Sequence, residues 1–598
     1  MEIRSNSAHC FIIFFIFANV SPLFSQASAG QALLPLNITF PAQTDTFQLD
    51  YIRISGNTDP GAVVFVNGQR VAVYPHGAFV HRLPLVIGQN YISIRAEKDG
   101  QLVRQALYIY RPESLATTPK SPLRIDPEMV MPEEDAWLLP GDYLQVRLKA
   151  SPGATAYFSI DDQEKNVPMV ELEPRYAGGL AGVYSGQVRI KAATTNRPYH
   201  VKFEVRNEDG EKARFTAPGA LYVLPEHIPI IGRINKFTQV FNHPERGTSL
   251  GFLQDSVRVQ VVGRLGSGFK IRLGNNRTGI VSIDDVDLLP WGTPLPMTSV
   301  SSPAISVNRD WYVLAMEVQM PVPVFSRQNV TGPAIELELF GACQGSQWTT
   351  FPPNPIDIER IYWQQEESDV LRIGVQMANK RPWGYKIEYK ENRLFLSIRK
   401  SPAIAASPQS PVKDLTIVLD PGHGGTEDTG AVSPLGIFEK DVNLSWAKFL
   451  AEQLLAAGAR VRMTRSDDRV VSLADRMNIA VNENAYMFIS LHNNAVGPDG
   501  DPARARGAAV FYNTPQSKEL AWAIYPYLVN LGLEPRGRSF TSFFVNRNTA
   551  MPAVLVEGAF ITSPDDEQLL MSNVFLQKMA KAVLTGIEDY LRKSVTLR

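Results

Sequence analysis

Four residues in the last third of this 598-residue chain have the types and placement for hydrolytic chemistry: His423, Glu439, His492 and Glu557. His423 stands in "LDPGHGG", just past the apolar run 415–419, and Glu439 opens the helical pattern "EKDVNLSWAKFLAEQLLAAGA". His492 follows "YMFISL" and Glu557 follows "AVLV", so three of the four cap separate buried runs. Two imidazoles and one carboxylate with a vacant fourth position are what a hydrolytic zinc ion requires. A glutamate left free of the metal can take a proton from an attacking water and hand it to a leaving amine. Plainer readings exist for each residue: a histidine after a strand is often a turn residue, and a glutamate at a helix start is often a capping charge. Glu557 is harder to explain that way, because an unpaired carboxylate at the end of the apolar run "AVLVEGAF" is costly to bury. Gly422, Gly424 and Gly425 let the backbone turn sharply beside His423 and keep bulk away from a metal.

The elements that must position these groups alternate from about residue 414 onward. Strands "LTIVLD", "ARVRMT", "YMFISL", "GAAVFY", "SFFVN" and "AVLVE" are interspersed with helices predicted near 440–457, 472–484 and 516–531, and helices run to the end. This order predicts an α/β domain over 414–598 with a mainly parallel sheet flanked by helices. Such sheets collect polar groups at the carboxyl ends of their strands. On the first helix Val442, Trp446, Phe449 and Leu450 share one face, and Gly458 suits its stop.

Upstream the pattern is all-β. Short alternating strands with Asn67-Gly68 and Asp99-Gly100 turns predict a β-sandwich over 40–113, resembling bacterial immunoglobulin-like modules. A second β-sandwich is expected over 121–227. Compact strands around Gly-rich turns over 230–291 resemble a small Src-homology-3-like barrel, and 303–400 resembles the AMIN module. Such a module would dock to the envelope, with Trp383 and Tyr385 either on its recognition surface or in its core. Residues 401–413, rich in Ser, Ala and Pro, read as a linker. The expectation is therefore a multidomain chain of β modules followed by one α/β domain.

Residues 1–29 have the layout of a secretory signal peptide: Arg4, an apolar stretch and a small-residue exit, too short to span a bilayer comfortably. The protein is expected to be exported to the periplasm or cell envelope, with no transmembrane span in the mature chain. Cleavage would leave Cys343 as the one cysteine, read as a packed small residue. Lys plus Arg number 59 against 60 for Asp plus Glu, a balance that argues against nucleic acid as a partner.

"IVLDPGHGG", "EKDVNLSWAKFLAEQL", "MTRSDDRVVSLADRMNIAVN", "FISLHNNA", "RGAAVFY" and "NRNTAMPAVLVEGAFITSPDDEQLL" resemble, in order and spacing, the zinc-dependent N-acetylmuramoyl-L-alanine amidases over about 414–595. The resemblance implies one catalytic Zn²⁺ held by His423, Glu439 and His492, with Glu557 as the catalytic glutamate. It implies peptidoglycan as substrate, cut between the lactyl group of N-acetylmuramic acid and L-alanine, in wall remodelling or daughter-cell separation. Arg547 matches a position often near substrate, and Asn493 stands where the family commonly has a small residue. Both are candidates for substrate binding. Arg476 reads as structural, paired with a carboxylate. Ala559 departs from the family's glycine. No inserted helix is visible after His492, so the α/β domain is expected to be active alone, with the β modules governing where it cuts and offering surfaces to envelope or division proteins. Two other functions fit parts of the pattern: a zinc carboxypeptidase acting on stem peptides, and a wall-binding scaffold with a spent hydrolase domain.

Overall fold

A computed structural model of the protein describes residues 33–596, apart from 114–116, 195–196, 244–246, 276, 329–332, 346–347, 350, 353–356, 379–381 and 405–409. The expected signal peptide lies outside the described residues, as does the middle of the expected linker. Among the described residues no helix is long and apolar enough to cross a membrane.

The region before residue 400 is strand-rich. In the first unit a three-stranded sheet (Leu36–Phe40, Tyr51–Thr58, Ala78–Pro84) and a five-stranded sheet built on the hairpin Gly88–Lys98/Gln101–Arg111 enclose one core. Alternation explains the pairing: Ile92, Ile94 and Ala96 point inward, and the hairpin closes through Asp99 and Gly100, both in the left-handed region. The next two units, divided in the sequence near 227–230, share a continuous sheet. The short strand Ala136–Leu138 pairs in parallel with Leu221–Val223 and antiparallel with Arg264–Leu265, stitching one unit to the other. In the fourth unit two four-stranded sheets, one of which holds the hairpin Gly384–Lys390/Arg393–Arg399, enclose another core.

The C-terminal domain is built on a six-stranded sheet: β1 (Thr416–Pro421), β2 (Arg460–Met463), β3 (Met487–Asn494), β4 (Ala508–Tyr512), β5 (Pro535–Phe540) and β6 (Ala553–Phe560), in the order β2-β1-β3-β6-β4-β5. All neighbours are parallel except β4–β6. The helices are α1 (Glu439–Ala456), α2 (Leu473–Asn482), α3 (Pro515–Val529), α4 (Pro564–Leu570) and α5 (Asn573–Thr596). Both sheet faces are covered, which is why the strands read as unbroken apolar runs. Ile417 and Leu419 face the core containing α1, α3 and α5, whereas Val418 faces the core containing Ala480 of α2.

The strand expected at "SFFVN" is not one. Residues Val545–Arg547 form a 3₁₀ turn, and the strand is β5, a polar segment whose register against β4 runs from Pro535 to Phe540. Hydrophobicity misled there because Val545 is buried as a loop residue in the α2-side core.

Trp383 and Tyr385 do not form a recognition surface. Each is only 4% exposed. Tyr385 belongs to the core of its own unit, while Trp383 inserts into the C-terminal domain's core, packs on Tyr590 and donates from Nε1 to the Tyr486 carbonyl at 2.8 Å. Beside it the buried Arg399 guanidinium lies 4.0 Å from the Tyr486 ring centroid and donates to the side chain and carbonyl oxygens of Asn484. The end of the linker is also part of this body, with Val412 fully buried. Trp383→Ala in the full chain is therefore expected to destabilise the C-terminal domain by about 3–5 kcal/mol, read by urea denaturation followed through hydrogen exchange of β1. A loss under about 1 kcal/mol would show that the seat is not part of the core.

Candidate metal centre

β1, β3 and β6 lie side by side and parallel, so their carboxyl ends deliver His423, His492 and Glu557 to one edge of the sheet. The register pairs His492 directly with Glu557. Glu439 is the first residue of α1, where the positive end of the helix dipole favours a carboxylate. Ligand atoms of His423, Glu439 and His492 all lie within 4.8 Å of one another. Glu439 bridges the two rings, with one oxygen 3.3 Å from His423 Nε2 and the other 3.1 Å from His492 Nδ1.

The backbone is shaped for this approach. His423 has φ +62°, a left-handed conformation uncommon outside glycine and found where a site dictates the backbone. A Cβ at Gly422 would fall 2.1 Å from the His492 ring, and one at Gly430 would fall 2.7 Å from both Glu439 and His423. Gly424 and Gly425 instead border Arg469 and Val470.

Burial alone would raise the Glu439 carboxyl, but the hydrogen bonds and charges of His423 and His492 hold it well below the usual carboxylate range. Burial alone would lower the His423 imidazole, yet the Glu439 and Asp428 carboxylates push it up to about 9. A cation is thus favoured at this cluster, whether proton or metal. Burial pushes Glu557 up to about 7, against the pull of His492 and His423. Its Oε2 is buried with no hydrogen-bond partner. A two-imidazole, one-carboxylate donor set beside an unpaired carboxylate oxygen fits a zinc ion with an open position.

Supporting residues escaped the sequence reading. Asp428 holds His423 Nδ1 at 2.5 Å, leaving Nε2 turned toward the cluster. Asn443, one helical turn after Glu439, donates to Glu439 Oε1 at 3.2 Å and to the Gly422 carbonyl at 3.3 Å. Buried Arg465 donates to the carbonyls of Pro421, Gly422 and Lys440. Helical spacing from Glu439 could have found Asn443, whereas Asp428 and Arg465 sit in loops with no periodic signal. Asp428→Ala is expected to weaken metal affinity about 10- to 100-fold with the fold retained, measured by competition with a chromogenic chelator. Unchanged affinity would remove Asp428 from the assembly.

Of the two residues expected to bind substrate, Asn493 adjoins the cluster and Arg547 lies away from it. Asn493 is 1% exposed; its N–H donates to Glu439 Oε1 at 3.2 Å and its Nδ2 to Asn443 Oδ1 at 2.9 Å, so it faces inward behind the cluster. Arg547 precedes the amino end of β6, whereas Glu557 lies toward its carboxyl end. Its guanidinium donates to Ser542 Oγ and the Ser542 carbonyl and lies 5.7 Å from the Phe252 ring centroid of the third β unit. Arg476 pairs with the fully buried Asp420 at 2.7 Å.

The family model described as N-acetylmuramoyl-L-alanine amidase matches residues 417–589. N-acetylmuramoyl-L-alanine amidase LytC of Bacillus subtilis is 38% identical over 207 residues, 33% of this chain and 40% of that protein. A probable cell wall amidase LytH of Staphylococcus epidermidis is 37% identical over 192 residues, 32% of this chain and 62% of that one. The chain thus spans less than two thirds of the length of either relative. Among solved structures, N-acetylmuramoyl-L-alanine amidase AmiC2 of Nostoc punctiforme shares 36% identity, with 30% of this chain covering 97% of that one at a TM-score of 0.28. Over residues 417–589 the C-terminal α/β domain is thus similar to the N-acetylmuramoyl-L-alanine amidase family.

Proposed function

We propose that this protein is a zinc-dependent peptidoglycan amidase of the cell envelope, cutting between the lactyl group of N-acetylmuramic acid and L-alanine of the stem peptide. The observation that carries the reading is the unpaired, buried Glu557 Oε2 beside a cluster of two histidines and a glutamate. His423, Glu439 and His492 would hold the zinc, with Asp428 orienting His423 and Asn443 orienting Glu439. When bound, zinc supplies Lewis acidity for the amide carbonyl and makes water more acidic. Glu557 accepts the proton of the water whose oxygen bonds to the carbonyl carbon. It returns that proton to the amine nitrogen as the C–N bond breaks.

Upstream, two sandwiches, a Src-homology-3-like barrel and an AMIN-like unit would hold the enzyme to the wall after export. They also provide surfaces for envelope or division proteins. Purified peptidoglycan digested by the full protein, with product masses read before and after chelation, tests the whole reading. Free glycan with an intact stem peptide, lost on chelation and restored by zinc, is the expected result. Shortened peptides would mark a carboxypeptidase instead, and the absence of any product would mark a scaffold.

A further inference from the structure

A second set of polar contacts joins the first β unit to the C-terminal domain, and it falls on the segments that carry the metal cluster. Before α1, the Pro434 carbonyl accepts from Asn57 Nδ2 at 3.0 Å and from Thr39 Oγ1 at 3.3 Å. After β3, the Val496 carbonyl accepts from Arg53 Nη1 at 2.7 Å, and the Pro498 carbonyl accepts from the Arg53 N–H at 2.8 Å. The Asp499 carbonyl accepts from Arg82 Nε at 2.7 Å. On α4, Glu567 meets His76 Nε2 at 3.3 Å and accepts from the Leu435 N–H at 2.8 Å. Each segment neighbours a site residue in the chain: Pro434 precedes Glu439, Val496 follows His492, and Glu567 follows Glu557.

Arg53 and Arg82 are themselves seated. Arg53 is 6% exposed, with its guanidinium 4.4 Å from the Phe40 ring centroid, and the Arg82 guanidinium is 3.9 Å from that of Tyr51. A loop with two carbonyls bound by seated guanidinium groups and a third by a strand N–H loses most of its freedom. The cost of a loose site is large, since a misplacement of about 1 Å can lower a rate about 100-fold.

We propose that the first β unit braces the metal cluster, with Arg53 and Arg82 as positioning residues that hold the loop after His492 in the geometry Glu557 requires. This rests on reading the cluster as the catalytic site. It also revises the expectation that the β modules govern only where the enzyme cuts: this unit acts on turnover.

The test uses the full chain carrying Arg53→Met with Arg82→Met, which keeps the apolar stems and removes the guanidinium donors to the Val496 and Asp499 carbonyls while leaving the Arg53 N–H on Pro498. Hydrogen exchange over 494–500 is expected to accelerate at least about 10-fold, while β1 and the 431–437 segment, held by Asn57, Thr39 and Glu567, stay protected. Zinc content should equal wild type, kcat should fall roughly 10- to 100-fold and KM should move less than about 3-fold. Arg53→Lys with Arg82 intact should recover part of the loop protection and of kcat, because an ammonium still donates to the Val496 carbonyl. Unchanged exchange over 494–500, or faster exchange there with wild-type kcat, overturns the brace. A wild-type protein inactive on peptidoglycan counts against the amidase reading, and the exchange experiment still decides whether the loop is held.

Discussion

Glu557→Gln is expected to keep metal binding at the wild-type level while lowering kcat by about 10²- to 10⁴-fold. The amide has the carboxylate's shape but cannot accept and return a proton, and the three side chains proposed to hold the metal are untouched. Glu557 is suited to that exchange because burial pushes its carboxyl up to about 7, close to the pH at which a group gives and takes protons with equal ease. Below its pKa the carboxyl is protonated and the base form is lost, so activity should fall as the pH drops. A cation in the cluster favours the ionised form, which sets the acidic limb of the pH–rate profile below 7. His423→Ala provides the contrast, since it should lose both metal and turnover. Metal content equal to wild type in the His423→Ala protein, or a Glu557→Gln protein within about 10-fold of wild-type kcat, would break the assignment of roles.

Arg476→Ala should destabilise the C-terminal domain by about 3–5 kcal/mol, because it strands a buried carboxylate. Asp420 is fully buried at the end of β1, where it accepts from Thr464 Oγ1 at 2.6 Å, Ser490 Oγ at 2.8 Å and Arg476 Nη1 at 2.7 Å. The same guanidinium donates to the Pro421 carbonyl at 2.8 Å and the His423 carbonyl at 2.9 Å, so it holds the strained turn that presents His423. Loss of the charge should therefore weaken metal affinity as well as the fold. Arg476→Lys should rescue little, since one ammonium cannot reach three oxygens in the fork geometry. Several units unfold in this chain, so hydrogen exchange of β1 amides against urea is the appropriate measurement rather than a single melting temperature. Protection of β1 within about 1 kcal/mol of wild type would show that Asp420 finds another partner.

Within the C-terminal domain much was legible from sequence alone. Helices expected near 440–457, 472–484 and 516–531 occupy Glu439–Ala456, Leu473–Asn482 and Pro515–Val529. Three of the four candidate groups stood at the ends of apolar runs and the fourth at a helix start, and the fold brings His423, Glu439 and His492 together. These features are local: periodicity reports which face of an element is buried, and residue type reports what chemistry a side chain can do. What burial is against, and where a side chain points, depended on the packed chain. Asn493 turns inward to Asn443, Arg547 ends a 3₁₀ turn ahead of the amino end of β6, and Trp383 fills the core of a neighbouring domain rather than facing the wall. Strand Ala136–Leu138 fuses two units that look separable, and Arg53 reaches a loop more than four hundred residues along the chain. Such contacts have no period and no motif. They are set by which surfaces meet once each unit has formed, and so only the tertiary structure decided them.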